Sequence, residues 1–215
     1  NIIQEADGYS IPGRQIFRSP GEITVDGDWS NGAFFLVAGA LGGGITLRGL
    51  DYASPQGDKA IIDLLRRFGA DLQIRDAAVR VSPGTLCGCE IDLTDIPDLL
   101  PILAVLAAFA QGESRFINGG RLRLKESDRL QTTAAMLKAL GGEVIESRSG
   151  LIVQGHPLRG GLTESFGDHR IAMAAAVAAA SCVEPVLLAD AEAVNKSYPG
   201  FFDDYQKLGG IAYVI

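Results

Sequence analysis

Cysteine is scarce in this chain: Cys87, Cys89 and Cys182 are the only three in 215 residues. So sparse and odd a set excludes a disulfide framework and suits a reducing compartment, so a cytoplasmic location is expected. Cys87 and Cys89 could share a metal, but neither His156 nor His169 stands at zinc-site spacing from them, and no metal site is expected. Long apolar runs are missing too. They stop at about 14 residues and are broken by Asp, Gly or Pro. A bilayer needs roughly 20 consecutive apolar residues, so no membrane partner is expected. Nor is there a basic excess: 19 Lys and Arg against 26 Asp and Glu leave a net charge of −7, which argues against nucleic acid as partner. An anionic ligand would require a local cluster of cations. The chain also lacks an initial methionine, and its extended-looking start, IIQEADGYSIPGRQIF, reads as part of a longer protein.

What is present is repetition. Asp28, Asp98 and Asp168 stand 70 residues apart, and each opens an apolar stretch: DWSNGAFFLVAGAL, DLLPILAVLAAFA and DHRIAMAAAVAAA. A period of this length marks supersecondary modules that cannot each bury an apolar face alone and must pack together. The segments LLRRFGADLQI, MLKALGGEVIE and YQKLGGIAYVI then read as helix end, glycine stop and strand. Short β-rich segments lie between the helices at 45–50, 114–119 and 185–190, and two further strands fall at 77–82 and 150–155. Each unit is thus β-α-β-α-β, with one more strand in the first two. The first helix of each is apolar all round and should be buried, whereas the second is amphipathic. The expected fold class is α/β, one domain of three repeated units around three buried parallel helices. GALGGG at 39–44 looks like a dinucleotide loop but follows a helix and precedes a strand, so it reads as a helix stop.

The densest chemical signal is GRLRLKESDRL at 120–130. If Ser127 caps the following helix, Asp128 and Arg129 enter its first turn and Lys125 and Glu126 sit just outside its positive end, where an anion could bind. A solvated charge run is the plain alternative. Arg170 falls in the first turn of an apolar helix, where a buried charge needs a carboxylate such as Asp168 or an anionic ligand. His169 beside it is more simply a structural hydrogen-bond donor. Lys196 occupies in unit three the place that Lys125 holds in unit two. Asp98 invites comparison with Asp28 and Asp168, for all three could be N-caps.

Together LKESDR, FGDHRIAMA, NKSYPGFF, IPD and GDWSNGAFFL give a chain that resembles the C-terminal half of the 5-enolpyruvylshikimate-3-phosphate synthase family over nearly all of residues 13–215. The resemblance implies one lobe of the enolpyruvyl transferase inside-out barrel. Residues 1–14 would be an interlobe linker or displaced strand, and 15–215 a lobe with units at about 15–84, 85–156 and 157–215. It implies a transferase that moves the enolpyruvyl group of phosphoenolpyruvate to the 5-hydroxyl of shikimate 3-phosphate, releasing phosphate, with no metal or organic cofactor. Asp98 resembles the base for the 5-hydroxyl and Glu126 the acid for the methylene carbon. Lys125 resembles a shikimate contact, Arg129, Arg170 and Lys196 a cationic clamp on phosphoenolpyruvate, and His169 a further substrate contact. Such chemistry asks for two carboxylates of different proton affinity. Where some members carry an asparagine touching the shikimate phosphate, this chain has Arg121, so that contact is not carried over.

The other readings are half of a UDP-sugar enolpyruvyl transferase, which would not be expected to carry Lys125–Glu126 inside KESDR, and a non-catalytic anion-binding domain. The partner implied is the N-terminal lobe of the same protein, without which the chain should be inactive. A last expectation concerns residues 211–215. They should form an apolar β-edge lacking a partner, to be paired with residues 1–15 or with a second copy as an edge-mediated dimer.

Overall fold

The computed structural model describes residues 1–76 and 78–215. The chain opens with β1 (Ile3–Glu5) and β2 (Gly8–Ser10), an antiparallel hairpin bonded to no other described strand. Residues 11–27 form no regular element, and Ile23 and Val25 are exposed. The strand expected to open unit one is therefore absent from the described residues. Apolar alternation cannot hold an extended segment unless a neighbour supplies backbone partners.

Unit one continues with α1 (Trp29–Leu41), β3 (Ile45–Arg48), a 3-10 turn at Gly57–Ala60, α2 (Ile61–Phe68), β4 (Asp71–Arg75) and β5 (Ala78–Ser82). The expected strand 77–82 is β5, with Ala77 outside the described residues. β5 lies between β3 and β4, antiparallel to both. Unit two supplies β6 (Glu90–Asp92), α3 (Leu100–Ala108), β7 (Glu113–Ile117), α4 (Arg129–Ala139), β8 (Glu143–Ser147) and β9 (Gly150–Gln154). Its sheet runs β6-β7-β9-β8, parallel only between β6 and β7. Unit three gives β10 (Gly161–Glu164), α5 (His169–Ala179), β11 (Val186–Ala189) and α6 (Phe201–Lys207), with β10 and β11 parallel.

At the centre α1, α3 and α5 touch one another. Every residue of α3 is buried, as its lack of any polar face requires. Pro101 is accommodated at the start of α3, where its missing N–H costs no helix bond. Truncating one of these fully buried side chains, as in Leu103→Ala, removes contacts worth about 2–5 kcal/mol. The amphipathic α2 buries Ile61, Ile62, Leu64, Leu65 and Phe68 and ends at Gly69, whose φ is +96°. A Cβ there would also lie 2.3 Å from the Thr85 carbonyl oxygen, so conformation and space both demand glycine. Glycine after α1 likewise ends that helix, with Gly42 bonding back to the Ala38 carbonyl before β3 begins.

Arg170 at the start of α5 reaches Asp98 just before α3. Ser30 in the first turn of α1 donates to Asp58, which lines one cleft with Asp98. The three buried helices therefore begin at the same end of the domain. No helix among the described residues is long and apolar enough to cross a membrane.

Residues 211–215 differ from expectation. They form no strand and pair neither with residues 1–15 nor with β11, and Ile211, Tyr213, Val214 and Ile215 are all exposed. In units one and two the last helix-following strand bonds to β5 or β9, and unit three has no such antiparallel strand to receive it. Amides 213–215 should accordingly exchange with solvent at close to free-peptide rates while those of β9 stay protected. Hydrogen exchange read by mass spectrometry checks this, and strong protection of 213–215 in a monomer would contradict the open edge.

Candidate active site

Three loops deliver charged side chains to the end where the buried helices begin. Asp168 is the N-cap of α5, accepting from the Arg170 backbone N–H at 2.9 Å, and Asp28 caps α1 in the same way through Ser30 and Asn31. Asp98 does not cap α3. It sits in the 3-10 turn Pro97–Leu99, and its carboxylate is spent on cations. The expected cap at Ser127 is also corrected: Asp128 caps α4 by accepting from the Gln131 N–H, and the Ser127 hydroxyl donates to Asp168 at 3.0 Å. A carboxylate is the stronger acceptor for an N-terminal N–H, which leaves the serine for a longer-range bond.

Arg129 is the hub. Only 1% of its side chain is exposed, and it bonds three carboxylates: Nε to Asp168 at 2.7 Å, Nη1 to Asp98 at 2.6 Å and Nη2 to Glu126 at 2.6 Å. Lys125 lies 3.1 Å from Asp98, Lys196 3.6 Å from Glu126, and Arg170 3.4 Å from Asp98. Asp168 thus pairs with the Arg129 side chain, and the Arg170 side chain turns to Asp98. His169 is buried, with Nδ1 3.8 Å from Asp168, too far for a hydrogen bond. The seven residues singled out from sequence are therefore brought together.

The buried polar atoms are not all satisfied. Arg170 Nε and Nη1 and His169 Nδ1 have no hydrogen-bond partner in the structure. Buried donors of this kind are costly unless a ligand completes them. Asp98, which Arg170 reaches, lines a cleft of about 370 Å³ together with Ser30, Asp58, Thr94 and Arg121. Neither Asp58 nor the pairing of Asp168 with Arg129 was visible in the sequence, because each depends on contacts between distant segments.

Burial raises the proton affinity of Asp98, but Arg170, Lys125 and Arg129 outweigh it and hold the carboxyl below its ordinary pKa. Glu126 is likewise pushed up by burial and pulled further down by its own backbone N–H and by Arg129 and Lys196. Asp168 is lowered by Arg129 and by the Arg170 N–H and Ser127 hydroxyl, against desolvation. Both candidate catalytic carboxyls are therefore shifted the same way, Asp98 chiefly by Arg170 and Lys125 and Glu126 by its backbone N–H and Arg129. Asp58 moves oppositely: burial raises it, and its Ser30 bond only partly compensates. His169 is lowered by burial and by Arg170, which keeps the ring neutral.

Arg129→Met should cost about 3–5 kcal/mol, because it strands buried Asp168 without its main partner. Urea denaturation measures the loss. The carboxylates whose pKa is lowered contribute stability that is complete above the ordinary carboxylate range and is lost as pH falls from that range through their lowered folded-state values. The wild-type midpoint should therefore drop on acidification below that range, and Arg129→Met should flatten the drop.

With this geometry in view, the fold and site define an α/β domain with a cluster of paired carboxylates and cations at the head of its buried helices. The family model for EPSP synthase (3-phosphoshikimate 1-carboxyvinyltransferase) matches residues 1–205, and the chain belongs to that family. The 3-phosphoshikimate 1-carboxyvinyltransferase of Clostridium novyi (strain NT) is 47% identical over 191 residues, covering 88% of this chain and 44% of the relative. That of Methanocorpusculum labreanum is 43% identical over 205 residues, 94% of this chain and 48% of the relative. Among solved structures, EPSP synthase from Acinetobacter baumannii superposes with a TM-score of 0.81 at 28% identity, over 98% of this chain and 52% of that one. The enolpyruvyl transferase NikO from Streptomyces tendae shares the fold at 21% identity, with a TM-score of 0.69 over 88% of this chain and 44% of that one. The chain spans about half the length of the curated relatives it matches.

Proposed function

We propose that this chain is the C-terminal half of an enzyme that transfers the enolpyruvyl group of phosphoenolpyruvate to the 5-hydroxyl of shikimate 3-phosphate and releases phosphate. One observation carries the reading: Asp98, Lys125, Glu126, Arg170 and Lys196 gather around buried Arg129 in a chain of this family. Asp98, held ionised, takes the proton of the attacking hydroxyl. Glu126 gives a proton to the methylene carbon, leaving an oxocarbenium-like centre that the hydroxyl oxygen attacks. The tetrahedral ketal phosphate then loses phosphate and a methyl proton to restore the enol ether. Arg170 and Lys196 bind the phosphoenolpyruvate anion, His169 lines its site, and Lys125 contacts the shikimate ring. Arg129, expected from the resemblance to belong to the same clamp, is instead assigned to orienting the two carboxylates, because its side chain is buried and its donors already face Asp98, Glu126 and Asp168. An anion that draws Lys196 away from Glu126 raises the pKa of that carboxyl, which is the direction an acid requires.

Residues 15–215 are one lobe and residues 1–14 the connection to its counterpart, which completes the substrate site. The protein acts in a reducing cytoplasm, in keeping with its three free cysteines. The test is phosphate release by the full-length protein from phosphoenolpyruvate, with shikimate 3-phosphate or a UDP-sugar as acceptor. Turnover only with the UDP-sugar overturns the reading.

A further inference from the structure

The stretch 120–128 carries Lys125 and Glu126 but has little of its own to fix it. Leu122 is its one residue buried in the core, Leu124 is 88% exposed, and Lys125 is already in extended backbone. Arg123 makes up the difference. Its Nη1 donates to Asp128 at 2.7 Å, and its Nη2 to Glu146 at 2.8 Å and to the Ser147 carbonyl at 2.7 Å. Its Nε donates to the Arg148 carbonyl at 3.0 Å. These four acceptors fall on two bodies. Asp128 is the cap of α4, whose first residue is the hub Arg129, whereas Glu146, Ser147 and Arg148 belong to β8 and the turn into β9. The Gly119 N–H bonds the Ser149 carbonyl at 2.7 Å, so the stretch is tied to the same hairpin turn at its other end. A guanidinium suits this task because its rigid fork reaches several acceptors at once, which a lysine cannot.

We propose that Arg123 is a positioning residue, its guanidinium clamping the 124–128 segment between the α4 cap and the β8–β9 hairpin so that Lys125 and Glu126 are held at Asp98 and Arg129. This rests on the function proposed above. Arg123 acts through those two side chains, and four of its five N–H donors are spent on the clamp. Nothing in the resemblance to the family pointed to it. Two parts of one chain 23 to 25 residues apart are joined by it, a separation at which sequence patterning is silent.

The experiment uses the full-length protein with Arg123→Ala and Arg123→Lys, and reads two things. In steady-state turnover, losing a second layer of support of this kind costs about 10–100-fold, here chiefly in kcat, with KM for phosphoenolpyruvate little changed and KM for shikimate 3-phosphate raised as Lys125 shifts. Arg123→Lys should recover part of that loss. Carboxyl-carbon NMR then follows the titration of Glu126, which faces Arg129 from α4, Lys196 from the turn after β11, and Asp168 from the start of α5. In both variants its midpoint should rise toward the ordinary glutamate value as the side chain drifts from Arg129. Wild-type kcat together with a wild-type Glu126 midpoint in either variant overturns the positioning role. Where Arg123→Ala fails to fold, Arg123→Lys decides by the same two readings. If the wild-type protein lacks synthase turnover but the Glu126 midpoint still shifts, the function proposal fails and the clamp stands.

Discussion

In the full-length protein, Asp98→Asn and Glu126→Gln should each lower turnover by about 10²–10⁴, the range usual for a general base or acid, with much smaller change in phosphoenolpyruvate affinity. Asp98 is held by Lys125, Arg129 and Arg170, and Glu126 by Arg129 and Lys196, so both carboxyls stand among the cations proposed to bind the reactants. An amide keeps the shape of each side chain and removes its ability to exchange a proton. Because the structure shows that Asp98 caps no helix, loss of turnover in Asp98→Asn cannot be ascribed to a lost cap. Unaltered kcat in a correctly folded Asp98→Asn protein would mean that its carboxylate merely neutralises three cations. Stopped assays of phosphate release under saturating substrate, with melting curves alongside, measure both quantities.

The chain by itself should show no synthase turnover. About half of the length of its relatives is outside it, and orienting two reactants contributes on the order of 7–11 kcal/mol to such a reaction. One wall of a site should bind anions only weakly through Arg170 and Lys196, and cannot hold a hydroxyl in line with an activated carbon. Mixing the chain with the complementary lobe should restore part of the activity in proportion to complex formation. Turnover by the isolated chain at a normal enzyme rate would show that the catalytic site is complete within these residues.

Much of the fold was legible because its determinants are local. Apolar runs without a polar face mark α1, α3 and α5, and glycines after the amphipathic helices mark their ends. Asp28 and Asp168 were recognisable as caps by their place before such runs. The same logic failed at Asp98, where Pro97 starts a 3-10 turn and the side chain is drawn away by cations. It failed at Ser127 because two adjacent residues could cap and only one does. Residues 211–215 and the expected opening of unit one read as strands, but a strand exists only where another backbone accepts its hydrogen bonds.

The sequence by itself determined the repeat, the buried helices and the identity of the charged residues that lie near their starts, since periodicity and turn chemistry act over a few neighbours. Only the tertiary structure decided how those charges pair. Arg129 bonds Asp168 from 39 residues away and Asp98 from 31, and Arg170 reaches Asp98 across 72. Each of these is a choice among several carboxylates that the sequence leaves equivalent. Packing of the three buried helices settles it, because it fixes which helix starts come within a side chain's reach and removes the water that would otherwise let every charge go unpaired.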